Sequence, residues 1–226
     1  MSDIGVQCIG FILDGNRRWA REKGTATLMG HKAGFDRLEE CVRWVRDRGI
    51  PHMVAYVFST ENWNREKAEV EYLMDLFREM ANKKFEELAK EGVRVRFIGK
   101  LDMLPEDLQK LIKDVESKNM ENPKITVWVC MSYGARAEIT AAAKALSESG
   151  EEVTEENLHK HFWSADMPDP DIIVRTSGEE RLSNFLLWQA AYSELFFIKP
   201  HWPDFSEKIL DEILEEYAGR QRRHGK

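Results

Sequence analysis

The chain is expected to fold as an α/β domain, a mostly parallel six-stranded sheet flanked by helices. Three observations predict this. Short runs rich in β-branched and aromatic residues alternate with longer stretches of helical apolar spacing, a pattern that favours a parallel sheet covered on both faces. The length of 226 residues suits one hydrophobic core. No repeat, low-complexity tract or Gly/Pro-rich linker interrupts it, so a single domain is expected over residues 1–226.

Taken in order, Cys8–Leu13, Met53–Ser59, Val93–Gly99, Ile125–Met131, Asp171–Arg175 and Glu194–Ile198 are short apolar runs bounded by polar or turn residues, and each predicts a strand. Between them the spacing predicts helices at about Gly30–Arg48, Lys67–Glu91, Glu106–Lys118, Ala135–Ser149 and Thr154–His161, with a last one from Ser206 to Arg220. Lys67–Glu91 carries Val70, Leu73, Met74, Phe77, Met80, Ala81, Phe85 and Leu88 at three- and four-residue intervals, which makes one apolar stripe. A stripe so rich in Met and Phe either packs the core or lines an apolar channel, because flexible thioethers accept varied partners. Periodicity does not separate the two.

Composition removes several classes of function. A formal net charge of -7 argues against nucleic-acid binding, which needs a broad basic face. Anion binding must then be local. Cys8, Cys41 and Cys130 are widely spaced without a C-x-x-C pair, so buried reduced thiols are expected rather than a disulfide framework or zinc knuckle. The apolar run at Ile9–Leu13 is too short for a signal peptide or a membrane span. A cytoplasmic protein, touching a membrane only peripherally, is the expectation. No G-x-x-x-x-G-K-[ST], G-x-G-x-x-G or G-x-S-x-G occurs, which argues against nucleotide triphosphatases, dinucleotide enzymes and α/β-hydrolases. His159 and His161 point apart on a helix and, with His52, are taken as structural.

In open parallel sheets ligands bind beyond the carboxyl ends of the strands, and there this sequence is least ordinary. The first strand runs into Asp14-Gly15-Asn16-Arg17-Arg18-Trp19. Gly15 permits a sharp turn, Asn16 can cap a following helix, and the two arginines can cradle an anion. Asp14 beside such a cradle calls for a cation between carboxylate and phosphate, and Mg²⁺ suits that arrangement. The alternative is an Asp14 that only caps a helix. The second strand ends in Phe58-Ser59-Thr60-Glu61-Asn62-Trp63-Asn64-Arg65, equally a binding loop or a capped turn. The fifth ends in Arg175-Thr176-Ser177-Gly178-Glu179-Glu180-Arg181-Leu182-Ser183-Asn184, where two arginines and several hydroxyls suit a diphosphate, with surface salt bridging as the alternative.

Together these segments resemble the cis-prenyltransferases, the undecaprenyl diphosphate synthase family. The resemblance rests on Phe11–Trp19 (FILDGNRRW), Gly30–Gly34 (GHKAG), Tyr56–Arg65 (YVFSTENWNR), Asp171–Trp188 (DIIVRTSGEERLSNFLLW), Ala191–Phe196 (AYSELF), Trp202–Phe205 (WPDF) and Arg222–Gly225 (RRHG), in that order over nearly the whole chain. It implies a Mg²⁺-dependent enzyme that adds isopentenyl diphosphate to an allylic diphosphate such as farnesyl diphosphate, each addition making a cis double bond. It also implies an apolar tunnel between sheet and helices, a homodimer, and a C55-class lipid-carrier precursor as product. By the same resemblance Asp14 holds the metal with Glu194 and assists departure of the allylic diphosphate. Gly15, Asn16, Arg17, Arg18 and His31 cradle that diphosphate, and Arg175, Arg181 and Ser183 hold isopentenyl diphosphate. Asn62 and Ser59 guide proton removal, while Trp19, Trp63 and Arg65 belong to the pocket region. Arg223 and Gly225 reach across a dimer to the partner's site.

Two positions depart from the family pattern. Thr27 stands where an arginine is common, which removes one allylic diphosphate contact, and Val57 stands where bacterial members often have alanine, which would shorten the product or alter the preferred primer. Two other readings fit the residues less well. A non-catalytic partner subunit would lose the strand-end aspartate and several arginines, yet Asp14, Arg18, Arg175 and Arg181 are all present. An unrelated phosphohydrolase would need a general base for water, and none is evident.

Overall fold

The computed structural model describes residues 5–118 and 120–220. Six strands, β1 (Cys8–Ile12), β2 (His52–Ser59), β3 (Val93–Ile98), β4 (Ile125–Tyr133), β5 (Ile172–Arg175) and β6 (Glu194–Phe197), form one sheet in the order β3-β4-β2-β1-β5-β6. Every pairing is parallel, so the expectation of a mostly parallel sheet is met in full. All nine residues of β4 and all five of β1 are buried, as strands covered on both faces must be.

The period-two alternation sorts the strand side chains onto two faces. Ile9, Phe11, Met53, Ala55, Val95, Phe97, Val127 and Val129 share one core cluster, whereas Cys8, Ile12, Val54, Tyr56, Ile98, Trp128 and Cys130 share the other. The first face is the larger. It packs against α2 (Thr27–Asp47), α3 (Lys67–Lys83), α4 (Phe85–Lys90), α5 (Glu106–Ser117) and α8 (Glu207–Gly219), all of which contribute buried apolar residues. The second carries Ala135 of α6 (Ala135–Ser149) with Met167, Phe185 and Leu186. Burying each Leu or Phe contributes about 1.5–3 kcal/mol. Among the described residues no helix is long and apolar enough to cross a membrane.

Three helix boundaries differ from expectation. Asn16–Glu22 forms a short helix, α1, that apolar spacing did not reveal because five of its seven residues are polar or charged. Helix α2 starts at Thr27, three residues before Gly30; glycine is a poor helix former, and here tertiary contact overrides it. The stripe expected over Lys67–Glu91 is two helices joined at Lys84. Val70, Leu73, Met74, Phe77, Ala81, Phe85 and Leu88 are all buried in the core. Core packing and channel lining meet at Leu73, which also faces the cavity described next. The remaining helix, α7 (Glu155–Lys160), is capped by the Thr154 hydroxyl, which accepts from the Asn157 amide at 3.1 Å.

Candidate active site

The carboxyl ends of β1, β2 and β5 open into a cavity of about 1120 Å³. Its polar end is lined by Asp14, Gly15, Asn16, Arg17, Arg18, His31, Ser59, Asn62, Arg65, Arg175 and Ser183; its apolar wall includes Leu13, Phe35, Leu38, Val57, Leu73 and Trp202. Residues from five separate sequence segments therefore converge on one site.

Asp14 is its centre. Oδ2 accepts from Arg175 Nη2 at 2.8 Å, and Oδ1 lies 3.2 Å from Arg18 Nη2. Burial alone raises the Asp14 pKa, but the hydrogen bonds and charges of Arg175 and Arg18 outweigh it and hold the carboxyl below its ordinary value. It is ionised at neutral pH. Arg175 is 4% exposed, and its Nη1 donates to Ser183 Oγ at 2.7 Å and to the Arg181 carbonyl. Its Nε is buried and makes no hydrogen bond. Arg18 Nη1 donates to the Ser177 carbonyl at 3.1 Å and to Glu179 Oε1 at 3.0 Å.

Glycines set the close approaches. Gly15, at φ 108°, is the N-cap of α1, and a Cβ there would stand 2.6 Å from Ser177 Oγ. The capping role expected for Asn16 falls to Gly15, and Asn16 becomes the first helical residue, its Oδ1 buried without a partner. The two glycines of GHKAG receive it. A Cβ at Gly30 would lie 2.1 Å from the Asn16 carbonyl oxygen, and one at Gly34 would lie 2.5 Å from Asn16 Oδ1. Between them His31, 4% exposed, is hydrogen-bonded through Nε2 to Glu69 Oε1 at 3.0 Å. Burial lowers the His31 pKa more than Glu69 raises it, so the ring is neutral at pH 7 and donates to the carboxylate. Glu69 also pairs with Arg65 at 3.1 Å and lies 3.9 Å from Arg17.

Ser59 and Asn62 cap the 3₁₀ turn Thr60–Asn64 reciprocally, with the Ser59 amide donating to Asn62 Oδ1 at 3.1 Å. Both also line the cavity, so the capped turn forms part of its wall. The β5 loop holds Ser177, Ser183, Asn184 and Leu186 at positive φ, each at a cost of about 1–3 kcal/mol. Asn184 anchors it: Nδ2 donates to Glu61 Oε1 at 2.9 Å, and Oδ1 accepts from the Arg136 amide at 2.9 Å.

Several expected residues lie outside the cavity wall. Trp63 Nε1 donates to Ser132 Oγ at 2.9 Å while its ring meets Phe58 edge-on. Trp19 Nε1 donates to Asp204 Oδ1 at 2.8 Å, and Arg181 pairs with Glu179 at 2.5 Å. Glu194 is displaced furthest. It starts β6 opposite Ile172, which is level with Ile9 of β1, so at about 3.3 Å per residue it sits roughly 15 Å from Asp14 along the strands. Its carboxylate accepts from Arg220 Nη1 at 2.6 Å. The expected Asp14–Glu194 metal pair is therefore not assembled within this chain. Arg223 and Gly225 lie outside the described residues. Sequence reasoning did not assign Arg21, Glu61, Glu69 or Asn184; the spacing of four between Arg65 and Glu69 is a local signal for one of them, weakened because Arg65 precedes α3.

Among the described residues no three His, Cys, Asp or Glu side chains cluster to hold a metal. A single ionised carboxylate beside guanidinium groups fits Mg²⁺, which takes one or two carboxylates and fills its shell with water and phosphate oxygens. It does not fit structural zinc, which needs four ligands.

A parallel sheet whose strand ends set two arginines around a carboxylate, in a cavity lined by polar and apolar side chains, suits a ligand that is anionic at one end and apolar at the other. The family model described as "Putative undecaprenyl diphosphate synthase" matches residues 12–225. The chain is 44% identical to an isoprenyl transferase of Thermotoga maritima over 224 residues, covering 97% of this chain and 96% of the relative. It is 41% identical to a ditrans,polycis-undecaprenyl-diphosphate synthase ((2E,6E)-farnesyl-diphosphate specific) of Micrococcus luteus, covering 96% and 89%. Lavandulyl diphosphate synthase of Lavandula x intermedia, solved with dimethylallyl diphosphate, superposes with a TM-score of 0.94 at 29% identity over 100% of both chains. The chain belongs to the undecaprenyl diphosphate synthase family of prenyltransferases.

Proposed function

We propose that this prenyltransferase uses Mg²⁺ to condense isopentenyl diphosphate onto an allylic diphosphate, farnesyl diphosphate first among them, to a medium-chain, C55-class polyprenyl diphosphate. The observation that carries the reading is the ionised Asp14 carboxylate set between Arg175 and Arg18 in a cavity lined by both polar and apolar side chains. The name of the Micrococcus luteus relative, a farnesyl-diphosphate-specific undecaprenyl diphosphate synthase, supports primer and product class.

In each cycle the allylic C–O bond breaks and the diphosphate leaves with the electron pair. The double bond of isopentenyl diphosphate attacks the allylic carbon, and a proton is then lost to form the new double bond. When bound by Asp14, Mg²⁺ would neutralise charge on the departing diphosphate. Arg17 and Arg18 bind the allylic diphosphate, and Arg175, Arg181 and Ser183 orient isopentenyl diphosphate. Charged donors fixed beforehand stabilise the leaving anion without reorganising at the moment of reaction. Neutral His31 contributes a hydrogen bond and no charge, while Ser59 and Asn62 guide proton removal. Leu13, Phe35, Leu38, Val57 and Leu73 keep water from the cation and receive the growing hydrocarbon, whose burial contributes about 0.8 kcal/mol per CH₂. A homodimer completed by Arg223 and Gly225, and release of product at a membrane surface, belong to the same reading.

The test is incorporation of radiolabelled isopentenyl diphosphate with farnesyl diphosphate and Mg²⁺, comparing wild type with Asp14→Ala. Long-chain product that vanishes with EDTA and falls by about 10²–10³-fold in the variant is expected. Failure of the wild type with every allylic primer would overturn the reading in favour of a non-catalytic partner subunit.

A further inference from the structure

The segment between β6 and α8 grips both polar strand ends from outside the cavity. The Pro200 carbonyl accepts from the Ser177 amide at 2.8 Å, and the Trp202 amide donates to the Asp14 carbonyl at 3.0 Å. Between these two anchors His201 reaches two further partners. Its Nδ1 lies 2.5 Å from Ser177 Oγ, and its Nε2 lies 3.0 Å from Oε1 of Glu22, the last residue of α1. An imidazole that accepts on one nitrogen and donates from the other suits this pair, the serine hydroxyl donating to Nδ1 and Nε2–H donating to the carboxylate. The β1 turn lies directly against the contact, since a Cβ at Gly15 would stand 2.7 Å from His201 Nδ1. Neither His201 nor Ser177 lines the cavity. Ser177 acts on it nonetheless: it is buried, sits at φ 78°, and its carbonyl accepts from Arg18 Nη1 at 3.1 Å.

We infer that His201 is a positioning residue for the allylic diphosphate, holding the Ser177 peptide so that its carbonyl fixes the Arg18 guanidinium. The inference rests on the proposed transferase reading, in which Arg18 binds that diphosphate, and goes beyond it by assigning a residue outside the cavity. A non-glycine residue at positive φ keeps that conformation only while its surroundings over-determine it, and His201 is the hydrogen-bond partner of the Ser177 hydroxyl. When that contact is lost the Ser177 peptide relaxes, its carbonyl leaves Arg18 Nη1, and Glu179 and Asp14 draw the guanidinium toward themselves. The isopentenyl diphosphate side is held by other contacts. Arg175 is fixed by Asp14 at 2.8 Å and Ser183 at 2.7 Å, and the Thr176 hydroxyl donates to the Asp14 carbonyl at 2.6 Å. The effect of His201 therefore falls on one of the two substrates.

The experiment measures binding of farnesyl thiodiphosphate, an unreactive allylic analogue, by calorimetry in wild type, His201→Phe, His201→Asn, Ser177→Ala and the His201→Phe/Ser177→Ala double variant. Thermal melting checks folding, and the incorporation assay gives KM for isopentenyl diphosphate. Phenylalanine keeps a ring and removes both nitrogens, whereas asparagine places an amide oxygen near the position of Nδ1. In His201→Phe and Ser177→Ala the Kd should rise about tenfold, what one hydrogen bond at the upper end of its net range is worth, with KM for isopentenyl diphosphate unchanged. The double variant should bind no more weakly than either single variant, because the two side chains form one contact, and His201→Asn should bind as wild type does. A wild-type Kd in folded His201→Phe and Ser177→Ala, or additive losses in the double variant, would overturn the inference while leaving the transferase reading intact. Equal losses for both substrates would overturn it as well, by showing a general loosening of the site, and so would a His201→Asn protein as weak as His201→Phe. Ser177→Ala removes a single oxygen, so the test stands even where the ring substitution fails to fold. A wild type that neither binds the analogue nor makes product from any primer overturns both readings.

Discussion

Gly30→Ala separates helix propensity from tertiary packing, because the two predict opposite signs. Inside a helix, replacing glycine by alanine ordinarily stabilises by about 1 kcal/mol. At Gly30 the added Cβ would sit 2.1 Å from the Asn16 carbonyl oxygen and 3.0 Å from Ala20 Cβ. The backbone of α1 must withdraw by about 0.9 Å before the first contact reaches 3.0 Å, the shortest that Cβ atoms tolerate. Overpacking of this kind costs about 1–3 kcal/mol, and contact with backbone places it near the upper end. A net loss of about 2 kcal/mol then lowers Tm by about 4–8 °C for a chain of this size. The same displacement carries Arg17 and Arg18 with it, and a misplacement near 1 Å can lower kcat/KM by about 10²-fold. Calorimetry and the isopentenyl diphosphate incorporation assay read the two effects. Gly219→Ala, in the last turn of α8 with nothing within 4 Å of its Cβ, is the control and should cause no loss. A Gly30→Ala protein that melts at or above wild type with unchanged kcat/KM refutes the packing argument.

Three further outcomes follow from the same geometry. Because burial depresses the His31 pKa below its ordinary 6.5, its contribution to stability is present above that value and is lost as pH falls through the folded-state pKa; His31→Gln should flatten the decline of Tm below pH 6.5. Glu91, held down to about 2 by hydrogen bonds from Arg43 and Arg46, contributes stability above its unfolded value near 4.5 that disappears as pH falls toward 2. The cluster is half-buried at the surface and screened by solvent, so Glu91→Gln should cost about 1 kcal/mol at pH 7 and much less at pH 2, measured by urea titration. Val57 lines the cavity wall, and Val57→Ala should lengthen the mean product when sized by chromatography.

What was legible in the sequence was whatever depends on local spacing. The six strands were found because β-branched runs with period-two faces need no partner to be recognised, and β1, β2 and β5 end where the polar motifs suggested. Helix α1 escaped because Trp19 and Ala20 are its only apolar residues. Glu69 escaped for a different reason: its partner His31 lies 38 residues away, and no local rule joins an acid on one helix to a histidine on another. Glu194 shows the converse. Its residue type suited a metal, but strand direction decides which end of the sheet a side chain reaches, and β6 begins at the end away from Asp14. The strain at Ser183, Asn184 and Leu186 is likewise a property of the assembled loop, since none of the three is glycine.

The strand order also governs when this enzyme can come into being. β1 is made first, yet one of its two neighbours is β5, and the Asp14–Arg175 pair joins residues 161 positions apart. At about 5–20 residues per second of synthesis, roughly 10–30 s pass between emergence of the aspartate and of its arginine. During that interval β1 and β2 can pair, but the far edge of β1 is bare and its apolar faces lack part of their cover. Closing so distant a contact is slow and leaves the chain open to aggregation. The nascent protein therefore needs shelter until its fifth strand arrives, and any ribosome-bound fragment that stops short of residue 172 is expected to be both inactive and prone to capture by chaperones.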